Sequence, residues 1–345
     1  MMQTSRPLSN QRSALRVIVP LCLLCAFWLT WAAIADRPAA PPMSAPQLSL
    51  YDRVKAVTVE ILVNDHLNGT GWIADAQGHV FTAAHVVSGE DRRIEVLTQN
   101  YGRLEAKLIA LDRGHDLALL QLPQREGGYA FAPMAAAMPP ALSDVYLMGA
   151  PIYRHSVLLE GRVARTGTTF EYLPNLRNYI ETIHVAGSSP RGTSGGPWFN
   201  SRGEIVGLQS GMMRDQNASV GIAFVIPVQF IQFLINTKAD VETVTLGAAV
   251  EELWEQPWDM LKKFPAKTQG LVVRVPEADG PAGKAGLKEN DVIIAVDDKP
   301  VYLRDEFIKL LRARRAGDEL KLSILREKDG KPATVMVKLD AMDSR

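Results

Sequence analysis

The chain has 345 residues, which is too long for one ordinary hydrophobic core and predicts about two globular domains with appendages. Hydrophobic residues make up 47% of the chain and charged residues 22%, a composition that excludes a disordered protein. Lys and Arg together number 38, as do Asp and Glu, so no excess positive charge is available to bind nucleic acid. We therefore expect a folded protein without nucleic-acid partners.

The first segment of the chain has the pattern of an export signal. Three arginines precede an uncharged apolar run, residues 17–35. The run ends in a small-x-small cleavage pattern, Ala33-Ile34-Ala35, yet it is nearly long enough to remain as a transmembrane anchor. Both interpretations stay open, and both place the rest of the chain across the membrane. We assign residues 1–36 to this signal peptide or anchor and the Pro/Ala-rich residues 37–47 to an extended linker.

Residues 48–240 carry an all-β pattern. Short β-branched runs alternate with Gly, Asn and Asp turns, and about ten of them are long enough to form strands. Two packed β-barrels would use all of these strands. The predicted strands are residues 57–63, 71–73, 80–82, 94–97, 117–122, 145–148, 161–165, 180–183, 204–209 and 221–226. Helical spacing then begins at residues 227–235, and we place a domain boundary close to residue 240.

A nucleophilic serine is predicted at Ser194. It lies in the motif GTSGGP, a glycine-rich turn of the kind that points backbone N–H groups at one spot. By this geometry, the N–H groups of Gly192 and Ser194 would form an oxyanion hole. A plain loop could carry the same residues, so the prediction also requires a base and an orienting carboxylate.

His85 and Asp116 supply these two groups. Of the six histidines, His85 is the one at a predicted strand end among small alanines, in the motif TAAHVV. Asp116 opens the apolar run LALL, where a buried acid is costly unless it has a partner. A structural histidine and a turn-capping aspartate are the alternatives. Asp91 and Asp112 are rival carboxylates that rank lower because neither leads such a run.

The chain order His85, Asp116, Ser194 is that of chymotrypsin-type enzymes. The motifs TAAHVV, HDLALL and GTSGGP, together with GIAFVIP at residues 221–227, resemble the HtrA/Deg family of trypsin-like proteases. The resemblance covers roughly residues 50–340. It implies a periplasmic serine endopeptidase that cleaves unfolded or misplaced envelope proteins, membrane proteins among them. It also implies a homotrimer built around the protease domain.

The substrate pocket departs from the family pattern. The family usually has Asn-Pro-Gly-Asn before the nucleophile motif, whereas residues 189–193 read SPRGT here. No Asp stands in the few residues before Ser194, which argues against a preference for Lys or Arg. We expect a pocket for small or medium apolar P1 side chains, formed by Ser210, Gly211, Met212, Ile222, Ala223 and Phe224.

The spacing of apolar residues in 241–345 predicts a small α+β module. Strands are expected at residues 271–275, 292–296, 320–325 and 334–339, with a helix at residues 303–314. Residues 283–293 resemble the A-G-L-x-x-G-D-V-I turn of PDZ domains. These domains bind C-terminal peptides at a sheet edge. Leu246, Gly247 and Ala248 form the candidate carboxylate-binding loop. The alternative is a module that only stabilises or assembles the protease.

The predicted fold is therefore mainly β, a chymotrypsin-like double β-barrel followed by a PDZ domain. No metal or cofactor is expected, because acyl transfer by this triad requires none. The two cysteines, Cys22 and Cys25, lie inside the N-terminal apolar run, where a zinc or redox site would be hard to complete. The predicted function is a Ser-His-Asp endopeptidase, with regulation by peptide binding to the PDZ domain as one option. The competing class is a non-proteolytic peptide-binding scaffold or chaperone on the same fold.

Overall fold

The computed structural model describes residues 48–89, 91–216, 218–327 and 331–342. The predicted signal peptide or anchor and the predicted linker, residues 1–47, lie outside these residues. None of the helices in the four described stretches has the length and apolarity that a bilayer crossing requires. The described chain is mainly β, which confirms the predicted fold class.

The first barrel is a seven-stranded antiparallel sheet. A short helix, α1 (Leu50–Lys55), precedes it. The strands follow the spatial order β5-β4-β1-β2-β3-β7-β6. Their bounds are β1 (Thr58–Val63), β2 (His66–Ile73), β3 (His79–Ala83), β4 (Ile94–Thr98), β5 (Gly102–Glu105), β6 (Lys107–Asp112) and β7 (Leu117–Gln121).

The two edges of this first sheet are next to each other in the chain. Its two edge strands, β5 and β6, are separated by Ala106 alone, so the edges belong to one nearly continuous stretch of chain. The Ala106 N–H donates to the Ile94 carbonyl oxygen at 2.9 Å, which holds the bend against β4. Each of these edge strands pairs on one side only, β5 with β4 and β6 with β7.

The second barrel is a closed six-stranded sheet in the order β10-β13-β12-β11-β8-β9. A fully buried Trp198 packs in its interior among β-branched and other apolar side chains. The helix α2 (Val228–Thr237) follows the last strand. The strand bounds are β8 (Asp144–Gly149), β9 (Val157–Leu173), β10 (Asn178–Gly187), β11 (Pro197–Phe199), β12 (Ile205–Asp215) and β13 (Ala218–Pro227).

Strands β9 and β10 form a hairpin that is much longer than the sequence predicts. Pairing runs from Gly161 opposite Gly187 to Leu173 opposite Asn178, at the hairpin tip. Phe170 and Tyr179 from the tip half are buried with the apolar core of the C-terminal module. We call residues 169–182 the hairpin tip.

The C-terminal module is an α+β unit with a five-strand path, β15-β16-β17-β19-β20, in which β15 is an edge strand. The predicted boundary near residue 240 falls between α2 and the first strand of this module. The strands are β14 (Val244–Thr245), β15 (Ala249–Glu252), β16 (Leu271–Arg274), β17 (Val292–Val296), β18 (Lys299–Pro300), β19 (Glu319–Leu325), β20 (Ala333–Lys338) and β21 (Asp340–Ala341). The helices are α3 (Trp258–Leu261), α4 (Pro281–Lys284) and α5 (Arg304–Arg312).

Candidate active site

The register of the first barrel places His85 beside Asp116. His85 lies in a 3-10 turn, Ala84–Val86, directly after the buried strand β3. Strand β3 pairs antiparallel with β7, and Ala83 lies opposite Leu117. Because the two strands run in opposite directions, the residue that follows β3 approaches the residue that precedes β7. The local fold thus brings the two side chains together.

Asp116 is a fully buried carboxylate with three donors. Its Oδ2 accepts a hydrogen bond from His85 Nδ1 at 2.8 Å, and its Oδ1 accepts one from the His85 main-chain N–H at 3.0 Å. The Ser210 hydroxyl also donates to Oδ2. Asp116 has a φ of 53°, in the left-handed region that Asp tolerates better than most residues. These donors replace the water that burial removes from the negative charge.

The environment of His85 raises the pKa of its imidazole. Burial lowers the pKa of His85, but the charge of Asp116 and the hydrogen bond to it raise the pKa by more, so it lies above the ordinary value of 6.5. Because a carboxylate only accepts hydrogen bonds, the neutral imidazole carries its proton on Nδ1. Its Nε2 is then available to accept a proton from another group.

Ser194 lies in a tight turn whose main chain is fixed by β2. The Thr70 N–H donates to the Ser194 carbonyl oxygen at 2.8 Å. Gly195 has a φ of 81°, and a Cβ at this position would lie 2.2 Å from the Thr70 carbonyl oxygen, so no other residue fits. The Ser194 hydroxyl lies 3.5 Å from the Ser210 carbonyl oxygen. Among the hydrogen bonds of the described residues, none joins this hydroxyl to His85.

The turn before Ser194 is held by neighbouring segments. The Gly192 carbonyl oxygen accepts a hydrogen bond from the Thr70 hydroxyl at 2.8 Å, and the Arg191 carbonyl oxygen accepts one from the Ile152 N–H at 2.8 Å. Gly192 has a φ of 98°, and a Cβ there would lie 2.3 Å from the Ala150 carbonyl oxygen. Among the residues described, none accepts a hydrogen bond from the Gly192 or Ser194 N–H. These two donors are thus available to a ligand.

His85 and Ser194 open into one cavity of about 890 Å³. Four of the six residues predicted for the substrate pocket line this cavity, namely Ser210, Gly211, Met212 and Phe224. The other two, Ile222 and Ala223, do not line it. Alternation along β13 turns the fully buried Ala223 towards the interior of the second barrel, opposite to Phe224.

One wall of the cavity is formed by residues that no sequence pattern predicts. Residues 171–175, from the hairpin tip, line it together with residues 189–191 of the nucleophile turn. In this wall, Glu171 Oε1 lies 3.0 Å from His184 Nε2, and the imidazole ring lies 5.6 Å from the Phe224 ring. No motif marks these residues, because their position depends on how far β9 and β10 extend.

A second histidine–aspartate pair, His115 and Asp112, lies just before Asp116 in the chain. Asp112, a rival carboxylate in the sequence analysis, binds His115 Nδ1 at 2.7 Å rather than His85. The His115 ring stacks on Phe230 with a centroid distance of 3.7 Å, and its Nε2 lies 3.7 Å from Glu181. Burial lowers the pKa of His115, and both carboxylates raise it by more, so it also lies above 6.5.

The candidate carboxylate loop, Leu246, Gly247 and Ala248, leads into the edge strand β15. The Leu246 carbonyl oxygen accepts the Ala282 N–H at 2.8 Å, and the Gly247 carbonyl oxygen accepts the Glu277 N–H at 2.8 Å. Gly247 has a φ of 67° and packs against Pro281. Among the described side chains, no group of three or more His, Cys, Asp or Glu is placed to hold a metal ion.

Two family models match the chain. Residues 69–208 match the trypsin-like peptidase domain, and residues 244–339 match the PDZ domain. A probable periplasmic serine endoprotease DegP-like from Pseudomonas fluorescens is 30% identical over 278 residues, which cover 79% of this chain and 56% of the relative. The chain belongs to the HtrA/Deg family. A DegP-like relative from Brucella suis is 29% identical over 274 residues, covering 78% of this chain and 52% of the relative. This HtrA/Deg chain thus spans about half the length of these relatives.

Solved structures of HtrA-type proteases share the fold. The HtrA-type protease AlgW with a decapeptide superposes with a TM-score of 0.60 at 19% sequence identity, covering 86% of this chain and 99% of that one. A serine endoprotease from Yersinia pestis gives a TM-score of 0.56 at 22% identity, covering 87% of this chain and 100% of that one. The double barrel and PDZ arrangement is therefore that of HtrA-type proteins.

Proposed function

We propose that this HtrA/Deg chain is a serine endopeptidase with Ser194 as nucleophile, His85 as general base and Asp116 as the group that orients the imidazole. The observation that carries the proposal is the buried His85–Asp116 hydrogen bond of 2.8 Å, on a cavity that Ser194 also lines. The relatives named as serine endoproteases support the same activity.

The reaction proceeds by acyl transfer to water. Asp116 keeps the Nδ1 proton of His85 in place, so Nε2 takes the proton of Ser194 as its oxygen attacks the peptide carbonyl carbon. The C–N bond then breaks, and His85 gives the proton to the leaving amine. Water hydrolyses the resulting acyl-enzyme through the same base. No step requires a group other than these three side chains and main-chain donors.

The N–H groups of Gly192 and Ser194 are the proposed oxyanion donors. Both lack an acceptor among the described residues, and the glycine at position 192 holds a conformation that a larger residue would strain. Donors of this kind act on charge that develops in the transition state, and the loss of one typically lowers kcat by about 10²- to 10³-fold.

The Ser194 hydroxyl must turn before it can react. Its hydrogen bond to the Ser210 carbonyl oxygen is 3.5 Å long and therefore weak. Rotation about the Cα–Cβ bond of Ser194 redirects the hydroxyl towards the imidazole, and catalytic hydrogen bonds often tighten in this way when substrate binds. Substrate binding thus completes the triad.

The cavity favours a small or medium apolar P1 side chain. Met212, Leu173 and Phe224 contribute apolar walls. The acid in this lining, Glu171, is engaged by His184 at 3.0 Å and is therefore a poor partner for a Lys or Arg side chain. Ser210 and Gly211 contact the substrate through their main chains, whereas Ala223 belongs to the core of the second barrel.

We assign the protein to the periplasm and its substrates to unfolded or membrane proteins of the cell envelope. The relatives named as periplasmic endoproteases support the compartment. Residues 17–35 would then act as a cleaved signal or as an inner-membrane tether. A homotrimer and the capture of C-terminal peptides by the loop of residues 246–248 complete the proposal. They follow from the family and from the PDZ model match.

The competing function is a peptide-binding scaffold without turnover. One observation favours it: the Ser194 hydroxyl bonds to the Ser210 carbonyl oxygen and not to His85. A protease that becomes active only when peptide binds the PDZ domain would show the same resting geometry. In that latent protease, peptide binding would favour a state in which the hydroxyl faces the base.

Fluorophosphonate labelling of the full-length chain tests these functions. We expect the wild type to be labelled and Ser194→Ala to remain unlabelled, because the reagent reacts only with an activated serine. Ser201→Ala, in an exposed turn, is the matched control and should label like the wild type. Labelling that needs an added peptide supports the latent protease. If no condition gives labelling, the endopeptidase is excluded and the scaffold stands.

A further inference from the structure

A buried hydroxyl beside the candidate active site has no hydrogen-bond partner among the described residues. It belongs to Ser189, in the segment that leads to the nucleophile turn. Ser189 is 2% exposed and lines the cavity that contains His85 and Ser194. Its Oγ is shielded from solvent and unpaired within the described chain. An unpaired buried hydroxyl costs free energy, and native proteins seldom contain one. A ligand that pairs with this hydroxyl would remove that cost.

Neighbouring buried polar side chains of the cavity are already engaged. The Ser210 hydroxyl donates to Asp116. The Gln209 side chain accepts a hydrogen bond from the Trp198 indole N–H at 2.9 Å and donates one to the Gly211 carbonyl oxygen. These two side chains therefore hold parts of the protein in place. Among the buried hydroxyl and amide side chains in the described lining, the hydroxyl of residue 189 is the one left for a substrate.

The remaining buried side chains of this cavity are apolar. Leu173 and Phe224 are buried, and Met212 is half-buried. The charged side chains of the lining include Arg191 and Arg214, which are both exposed and would repel a cationic side chain. Ligand pockets are commonly apolar, with a few polar groups that fix the orientation of the ligand. An uncharged polar group is also buried at a much lower cost than an ion. The cavity therefore suits an uncharged side chain.

We propose that Ser189 is a specificity-determining residue, and that among P1 side chains of equal size the cavity selects the one with an uncharged hydrogen-bonding group. This inference rests on the proposed serine endopeptidase and narrows its P1 pocket. The apolar walls still enclose the side chain, and the polar isostere gains a hydrogen bond to Ser189. Rotation about the Cα–Cβ bond of Ser189 directs the hydroxyl. Because a hydroxyl both donates and accepts, hydroxyl and amide side chains can each pair with it.

The size of this preference follows from the change in hydrogen bonding on binding. With an apolar P1 side chain, the Ser189 hydroxyl stays unpaired, as it is in the free protein. With the polar isostere the two groups pair, but the P1 group must leave water, which offsets part of the gain. The net effect of one neutral hydrogen bond is roughly two- to tenfold in an equilibrium constant. We therefore expect about a fivefold preference in kcat/KM for the polar member of the pair that fits best.

Peptide cleavage by the full-length chain, under the conditions that give fluorophosphonate labelling, tests the proposal. The substrates are internally quenched heptapeptides of Ser and Ala whose central residue is Val or Thr, Leu or Asn, and Met or Gln. These are three pairs of similar shape and increasing length, and mass spectrometry identifies cleavage after the central residue. We expect about a fivefold preference for the polar member of one pair. Ser189→Ala should abolish it by slowing cleavage of the polar member, while the apolar member stays within about twofold.

Two controls separate this effect from general damage to the site. Ser188→Ala changes the neighbouring serine, which is exposed and is not part of the cavity lining, and should keep the wild-type preference. Urea unfolding tests the premise without any substrate. Because the Ser189 hydroxyl has no partner in the described chain, Ser189→Ala should unfold at the same urea concentration as the wild type or at a higher one. A lower midpoint would show that the hydroxyl stabilises the protein itself, and would overturn the inference.

A preference for the polar member that Ser189→Ala removes and Ser188→Ala keeps supports the role of Ser189. Preference for the apolar member of every pair overturns it. Ratios that Ser189→Ala leaves unchanged, equal losses for both members of each pair, and a labelled chain that cuts none of the six peptides overturn it too. These outcomes do not affect the proposed nucleophile, because the chain still reacts with fluorophosphonate. A chain that neither reacts nor cleaves overturns the proposed endopeptidase, and this inference with it.

Discussion

Among the described residues, the pairs His85–Asp116 and His115–Asp112 have nearly equal geometry and burial. His85 Nδ1 lies 2.8 Å from Asp116, and His115 Nδ1 lies 2.7 Å from Asp112. In both pairs the carboxylate is almost fully buried and the histidine side chain is about one-fifth exposed, at 18% and 19%. In both, carboxylates raise the pKa of the histidine above 6.5 against the effect of burial. The pair alone therefore does not define an active site.

The surroundings of the two pairs differ. His85 opens into a cavity that also contains a serine on a glycine turn. His115 stacks on Phe230, and a second carboxylate, Glu181, lies 3.7 Å from its Nε2. Its second nitrogen thus faces protein where that of a general base must face a substrate. We infer that the environment of Nε2 separates a catalytic from a structural histidine here.

Replacing each histidine in turn is the strongest way to break this comparison. We expect His85→Ala to lower kcat/KM for hydrolysis of an unfolded protein by about 10⁴-fold or more, because no base remains for the serine. His115→Ala should stay within about tenfold of the wild type. Steady-state kinetics on both variants would measure this. Similar losses in the two folded variants would show that the assignment of roles is wrong.

The two carboxylates extend the comparison with a smaller expected effect. Asp116→Asn keeps the shape of the side chain, but its amide cannot orient the imidazole as the carboxylate does, so we expect kcat/KM to fall by about 10³- to 10⁴-fold. Asp112 accepts two hydrogen bonds from His115 and its charge also acts on the buried Arg312, so Asp112→Asn should act mainly on stability. Activity and urea unfolding, measured side by side, separate these effects. Loss of activity in Asp112→Asn without loss of stability would contradict the prediction.

The pH dependence of kcat/KM distinguishes the two pairs further, because the pKa of His85 is raised by Asp116. A general base must be neutral in the free enzyme, so kcat/KM should rise with pH and reach half its limit at a pH above 6.5. In Asp116→Asn, burial is no longer offset by the negative charge, so the midpoint should move to a lower pH. Asp112→Asn should leave the midpoint in place. The rate of fluorophosphonate labelling as a function of pH measures all three, and an unmoved midpoint in Asp116→Asn would argue against His85 as the base.

The sequence predicts the candidate site better than it predicts the surfaces around it. His85, Asp116 and Ser194 are marked by local motifs, and the strand register then brings the first two together. The paired strands are also marked, because β-branched runs and turn residues are local signals. Four of the six predicted pocket residues line the cavity, but the strand predicted at residues 221–226 did not show that Ala223 faces the barrel core and Phe224 the cavity.

The contacts of the hairpin tip could not be read from the sequence. Only a short part of β9 was predicted, whereas the strand continues to Leu173 and carries Phe170 into the C-terminal module. The edge strand β15 was also missed, because a four-residue run offers little periodicity. The hydrogen bond from the Tyr179 hydroxyl to the Val250 carbonyl oxygen joins positions that lie far apart in the chain, so no local pattern encodes it.

The bend at Ala106 has a consequence for the integrity of the molecule. A single peptide-bond cut beside this residue would convert one continuous stretch into two free strand ends, β5 and β6, on opposite edges of the first sheet. Free edges pair readily with other chains. Glu105 and Lys107 on either side are exposed, so the buried Ala106, at 7% exposure, and its hydrogen bond to Ile94 are what hold this stretch against cleavage.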